Sequence, residues 1–195
     1  MTRIFPERCA WLIDNPLRAL LIRPGTLRDR LAIGGDARVL EIGPGSGYVS
    51  RAIAAQLAGG TLHLVDVQVG MLRRARRRMR GPTRGEVMYE CADVAALPFR
   101  ERTFDAALAV AVLGETPDVR RSLRELHDVL RPGGRLLVHE HLPDPDFIPF
   151  VTLQELAGAV GFRLVRRWGS RWNYSSLWER PRMDVPTLPR RAVTC

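Results

Sequence analysis

The chain contains no lysine at all: its thirty basic residues are all arginine, set against twenty-one acidic ones, for a net charge of +9. So one-sided a choice reads as compositional bias, which scatters positive charge over solvated surface. It admits a nucleic-acid or anionic-membrane partner without favouring either. Cysteine is scarce too. Cys9, Cys91 and Cys195 are far apart, odd in number and never part of a Cys-x-x-Cys element, so a zinc site and an iron–sulfur cluster are not expected and a reduced compartment fits. No apolar run approaches the ~20 residues of a membrane-spanning helix, and no basic stretch followed by an apolar signal segment opens the chain. A cytoplasmic location is the expectation. What remains is 195 residues, 46% hydrophobic and 26% charged, enough apolar surface for one globular domain with a short appendage.

Between Arg38 and Glu140 short apolar runs alternate with longer stretches of helical period, the pattern of successive βα units feeding a parallel sheet. Strands are expected at Arg38 to Ile42, Thr61 to Val65, Glu86 to Cys91, Phe104 to Ala111 and Arg135 to Glu140. A helix is expected from Tyr48 to Ala58, and another from Val119 to Leu130, stopped by Arg131-Pro132-Gly133-Gly134. A further helix puts Val69, Leu72, Ala75 and Met79 on one stripe and Arg73, Arg74, Arg76, Arg77, Arg78 and Arg80 on the rest. Those arginines read as a solvated face, with a grip on phosphates as the alternative. Phe162 to Trp168, Gly169-Ser170 and the alternating Trp172, Tyr174, Ser176 and Trp178 read as a terminal antiparallel hairpin. Residues 1–34 form a short helical cap with interfacial membrane contact admitted, 35–180 the α/β domain, and 181–195 a frayed tail.

The chemistry concentrates at Val39-Leu40-Glu41-Ile42-Gly43-Pro44-Gly45-Ser46-Gly47-Tyr48. Closely spaced glycines after a strand let a ligand approach the backbone, because no Cβ stands in the way. Tyr48 stands where a dinucleotide fingerprint begun at Gly43 needs glycine, and no Gly-Lys-Ser/Thr follows for a P-loop. The carboxylate of Glu41 before the turn disfavours a pyrophosphate and suits a cation, such as the ammonium and sulfonium end of S-adenosylmethionine. Asp66, closing the second strand, can accept from both ribose hydroxyls, or it can simply cap the following helix.

These residues resemble the class I S-adenosylmethionine-dependent methyltransferases, in particular the type 11 group that includes the ubiquinone and menaquinone C-methyltransferases. Four blocks carry the resemblance in order: Val39 to Gly47; His63 to Gln68 leading to Met71-Leu72; Cys91-Ala92-Asp93 with Ala96-Leu97-Pro98-Phe99 and Thr103-Phe104-Asp105; and Leu126 through Leu136. It implies a Rossmann-like three-layer α/β sandwich with a seven-stranded, mostly parallel sheet in the order 3-2-1-4-5-7-6, strand seven antiparallel. It also implies that Glu41 and the Gly43-Pro44-Gly45-Ser46-Gly47 backbone hold the methionine moiety of S-adenosylmethionine. On the same ground Asp66 takes the ribose, Val67 and Gln68 flank the adenine, Asp93 and Val94 meet its amine and ring edge, and Ala111 lines the methionine side.

A sulfonium methyl is already activated, so transfer needs alignment and exclusion of water rather than a metal. An enolisable carbon or a phenol as acceptor gains from a general base. The strand ends offer Glu115, Glu140, His139 and His141, of which His141 and Glu115 are preferred; His63 and His127 read as structural. The turn Ala111-Val112-Leu113-Gly114-Glu115-Thr116-Pro117 lacks the Asn/Asp-Pro-Pro-Tyr element of base methylation. A small, hydrophobic or lipidic acceptor is expected, its pocket lined by Phe5, Trp11 and Leu12 and by Phe147, Ile148 and Phe150, unless these residues only seal the core. The alternative is a noncatalytic S-adenosylmethionine-binding module whose basic surface meets RNA or a protein partner.

Overall fold

The structure, a computed structural model, describes residues 22–81 and 83–182. Its seven strands are β1 (Arg38–Ile42), β2 (Thr61–Asp66), β3 (Glu86–Cys91), β4 (Phe104–Val110), β5 (Leu130–His141), β6 (Arg163–Gly169) and β7 (Asn173–Glu179). They form one sheet in the order β3-β2-β1-β4-β5-β7-β6, as the resemblance implied. Pairing is parallel from β3 through to β5, and β7 runs antiparallel to both β5 and β6. The helices are α1 (Pro24–Leu31), α2 (Ser50–Ala54), α3 (Val69–Arg78), α4 (Val119–Val129) and α5 (Phe150–Ala159).

Burial on both faces explains why the central strands are almost wholly apolar. Alternate residues of the central strands feed two cores. Leu40, Ala107, Leu136 and Val138 pack with Leu123 and Leu126 of α4 and Leu153 of α5. Val39, Leu108 and Leu137 pack with Leu27 and Leu31 of α1, Ile53 of α2 and Leu72 and Ala75 of α3. Truncating one such side chain, for instance Leu108→Ala at a fully buried site, costs about 2–5 kcal/mol by lost transfer energy and the cavity left behind. The part of the N-terminal cap that is described is α1, and it belongs to the second core. Phe5, Trp11 and Leu12 lie outside the described residues, as does the tail beyond Arg182.

Three differences from the sequence expectation bear on the site and its frame. Helix α2, expected from Tyr48 to Ala58, is only Ser50–Ala54, with turns on both sides, at 45–49 and 55–56. Strand β4 ends at Val110, and Ala111 turns into the left-handed region at φ +51°. The Arg131-Pro132-Gly133-Gly134 run does not separate helix from strand; Leu130 is already extended and pairs with Phe104, and the register shifts before Ala106↔Arg135. The last carbonyls of α4 are met by a distant residue instead. Arg180 Nη1 donates to the carbonyls of His127, Asp128 and Leu130 at 2.7, 3.0 and 2.9 Å, which suits a cation at a helix C-terminus.

Candidate functional site

In a parallel sheet the loops that can carry chemistry gather at the carboxyl ends of the strands, and here that edge collects most of the expected residues. Gly43 N–H donates to the Val65 carbonyl at 2.8 Å, Ala92 N–H to Asp66 at 3.2 Å, and Ala111 N–H to His139 at 2.8 Å. These bonds set the turn after β1 beside Asp66, Asp66 beside the start of the Asp93 loop, and Ala111 beside the end of β5.

The glycine turn is held from both sides. Gly43, Gly45 and Gly47 have φ of +59°, +55° and +79°, which β-carbon sterics disfavour for other residues. A Cβ on Gly43 would collide with the Val112 side chain, and one on Gly47 would stand 3.1 Å from Ala75 Cα of α3. Gly47 thus lets helix α3 approach the turn. Arg78, at the end of that helix, reaches back: its Nη1 donates to Ser46 Oγ at 3.1 Å, and its guanidinium lies 5.8 Å from the Tyr48 ring centroid. Its run of arginines read as a solvated face; Arg73, Arg76, Arg77 and Arg80 are exposed, whereas Arg78 braces the turn.

Glu41 is 2% exposed on the same face of β1 as Val39, a placement that favours a positive neighbour over an anion. Asp66 Oδ1 accepts the Gln68 N–H at 2.8 Å, so the carboxylate also orders the entry to α3. Val67 beside it is 46% exposed, an apolar surface at the strand tip. Asp93 Oδ1 accepts from Ala95 N–H at 2.8 Å and caps the short 3-10 turn Val94–Ala96. Val94 is buried in the first core, which leaves its backbone for any ligand.

The base candidates divide between two faces. His139 and His141 share one face of β5, their rings 5.6 Å apart, and His139 Nδ1 lies 2.9 Å from Ser175 Oγ. On the other face Glu140 is 1% exposed. Burial pushes its carboxyl up to about 8; the Ile148 N–H bond opposes this, and the nearby Asp144 and Glu115 charges add to it. Glu115 closes the 3-10 turn Leu113–Glu115 after β4, where a Cβ on Gly114 would strike the Asp146 carbonyl. Phe147, Ile148 and Phe150 belong to the first core: Phe150 stacks on Trp178 at 6.3 Å and meets Tyr174 edge-on at 5.5 Å. His63, against Glu90 at 2.7 Å and edge-on to Phe99 and Phe104, is structural, as is His127 beside Phe162. Among the described residues no group of three or more His, Cys, Asp or Glu side chains could hold a metal ion, and no helix is long and apolar enough to cross a membrane.

A seven-stranded sheet in this order, with its glycine turn after β1, defines a Rossmann-like α/β fold of the methyltransferase type. Residues 40–138 match the profile of the methyltransferase domain family, type 11, and the chain belongs to that family. It is 36% identical over 131 residues to a demethylmenaquinone methyltransferase of Clavibacter sepedonicus, covering 67% of this chain and 51% of that protein. It is 34% identical over 122 residues to a malonyl-[acyl-carrier protein] O-methyltransferase of Halorhodospira halophila, covering 63% and 38%. The chain therefore spans about half or less of the length of these two relatives. Among solved structures, a SAM-dependent methyltransferase from Aquifex aeolicus superposes with a TM-score of 0.80 at 17% identity, covering 90% of this chain and 99% of that one. That likeness is one of fold.

Proposed function

We propose that the chain transfers a methyl group from S-adenosylmethionine to a small acceptor with a hydrophobic or lipidic body. The observation that carries this reading is the gathering, at one sheet edge, of the glycine turn, buried Glu41, Asp66, exposed Val67, the Asp93 loop and Ala111. The donor set fits the cofactor: an acid where its cationic end belongs, a second acid suited to ribose hydroxyls, and an apolar surface for a purine face. In this reading Glu41 and the Gly43, Pro44, Gly45 and Gly47 backbone hold the methionine end. Asp66 holds the ribose, Val67 and Gln68 flank the adenine with Asp93 and the Val94 backbone at its edge, and Ala111 faces the methionine side. S-adenosylmethionine, when bound, supplies an activated sulfonium methyl.

The protein's contribution is then alignment and dryness. His141, at the end of β5, takes the acceptor's proton where one must leave, with Glu115 as the second candidate base. Near-equal identity to relatives named for different acceptors leaves the acceptor to be read from this chain's own pocket. Titration with S-adenosylhomocysteine and with NAD tests the cofactor: the first binds and the second does not, and Glu41→Gln weakens the first. Labelled cofactor incubated with a metabolite extract tests the transfer. Formation of S-adenosylhomocysteine above the blank supports the enzyme, and none supports the noncatalytic binding module.

A further inference from the structure

The positive charge of this chain is not spread as an arginine bias alone would spread it. From Val67 to Gly85 stand seven arginines and no acidic residue, whereas the other twenty-three arginines are set against all twenty-one acids. One segment therefore carries most of the +9 excess, and α3 lies within it. Arg73, Arg76 and Arg77 of that helix and Arg80 just past its end are exposed and recur at three- and four-residue spacing, so they share one face. Arg73 and Arg77 stand about 6 Å apart along the axis. Exposed Arg51 of α2 joins them, its Nη1 donating to the Arg78 carbonyl at 3.4 Å.

The fold leaves this face without a counter-charge. Carboxylates meet other arginines, Asp29 with Arg28 and Asp105 with Arg131 at 2.7 Å and Glu179 with Arg163 at 3.2 Å. Among the described residues no ion pair reaches Arg73, Arg76, Arg77 or Arg80. On the neighbouring strand β3, Glu90 is held by His63 at 2.7 Å, and Arg76 lies over the Tyr89 ring at 5.9 Å, a neutral partner. Cations in a last helical turn suit the helix dipole, which accounts for Arg76 and Arg77 but not for Arg73, a turn earlier. Like charges four residues apart, as at Arg73 and Arg77, weaken a helix. A bound polyanion relieves that repulsion.

We infer that the arginine face of α3 is a docking surface for a single nucleic-acid strand, gripped through its phosphates without regard to base sequence. Guanidinium forks match phosphate oxygens, and a phosphodiester strand repeats its charge as the helix repeats its arginines. A membrane fits less well. The apolar residues of α3, Met71, Leu72 and Ala75, are buried, so the helix has no apolar face to sink into lipid, as an interfacial helix needs. With that side packed on the sheet, α3 also does not enter a duplex groove to read base edges; contacts to phosphates position a strand without specifying it. This surface is separate from methyl transfer and does not depend on that reading.

Fluorescence anisotropy of a labelled oligouridylate, titrated with the full chain, tests the surface. Three or four phosphate contacts to a single strand predict that affinity falls about 20- to 50-fold between about 50 mM and about 200 mM salt. Combining Arg73→Gln, Arg77→Gln and Arg80→Gln lowers affinity about tenfold or more and reduces the salt slope by about two. The control combines Arg120→Gln, Arg121→Gln and Arg124→Gln on α4, an equal change in charge at exposed arginines that have Asp118, Glu125 and Asp128 among them; it leaves binding within about twofold if local charge decides. Circular dichroism checks that each variant folds, and the single exposed substitution Arg77→Glu, which should cost several-fold, keeps the test open if the triple variant does not. No binding at about 100 μM protein in the lower salt, binding indifferent to salt, or equal loss in the two triple variants overturns the inference. So does binding to phosphatidylserine vesicles, lost in the α3 variant, without binding to the oligouridylate, an outcome that would assign the face to a membrane.

Discussion

The Tyr174 hydroxyl donates a 2.6 Å hydrogen bond to the carbonyl of Ile148, a contact between the start of β7 and the loop that follows β5. The Ile148 N–H in turn reaches Glu140 Oε2 at 3.4 Å, so one peptide segment is tied at both polar groups to buried side chains. Phe147 and Phe150 pack edge-on against the same Tyr174 ring. The loop after β5, whose apolar residues read either as a pocket lining or as a seal on the core, is fastened into the core.

Tyr174→Phe keeps the ring and leaves the Ile148 carbonyl without its donor. Removing one partner of a buried hydrogen bond costs about 1–3 kcal/mol, so urea denaturation should show a lower midpoint with an unchanged slope. An unaltered midpoint would show that the carbonyl finds water or another donor.

Glu140 makes stability depend on pH. Its carboxyl releases a proton near its usual 4.5 when unfolded and at about 8 when folded, so between those values the unfolded chain carries fewer protons and stability falls as pH rises. The slope contributed approaches ~1.4 kcal/mol per pH unit and vanishes below the first value and above the second. Glu140→Gln, which keeps a carbonyl oxygen for Ile148 N–H, should flatten the profile and gain most over the parent at pH 8 and above. Parallel profiles for the two proteins across that window would mean that the carboxyl is ionised in the fold.

Most of the architecture could be read before the structure, because it is written in local pattern: the near-continuous apolar β4, the alternation of Tyr174, Ser176 and Trp178, the glycines after β1. Strand order came only as what the family resemblance implied, not from local pattern. What stayed hidden was set by contacts between distant residues. Arg78 looks like its neighbours until α3 is laid against Gly47. Arg180 caps α4 from fifty residues away, and nothing in Arg131 to Gly134 announces that. Arg30 and His139 both meet Ser175 Oγ, yet the three share no motif, and serine in a strand carries no signal of the guanidinium it will meet.

Gly47 separates backbone strain from close packing. Gly47→Ala meets both a left-handed φ of +79° and Ala75 at 3.1 Å, whereas Gly59→Ala meets a φ of +98° with nothing within 4 Å. Each should lose about 1–2 kcal/mol from the backbone alone. Only Gly47→Ala should also push α3 from the turn, lowering S-adenosylhomocysteine affinity about tenfold by calorimetry. Equal affinity in both variants would remove the packing role given to Gly47.

Arg78 offers the sharper test of how the turn is held. It joins Ser46 through a 3.1 Å bond, lies over Tyr48, and its own carbonyl accepts from Arg51 Nη1 at 3.4 Å; Arg77, one residue earlier, is exposed. Were the arginine run only a solvated face, Arg77→Met and Arg78→Met would behave alike, each within about 0.5 kcal/mol of the parent. If Arg78 braces the turn, its loss removes a side-chain bond of about 0.5–1.5 kcal/mol from a loop whose shape the cofactor must match. S-adenosylhomocysteine affinity should then fall roughly two- to tenfold in Arg78→Met and stay unchanged in Arg77→Met. Because the bond is made to Ser46, Ser46→Ala should weaken binding by a similar factor, and adding it to Arg78→Met should cost little more, as expected for two halves of one contact.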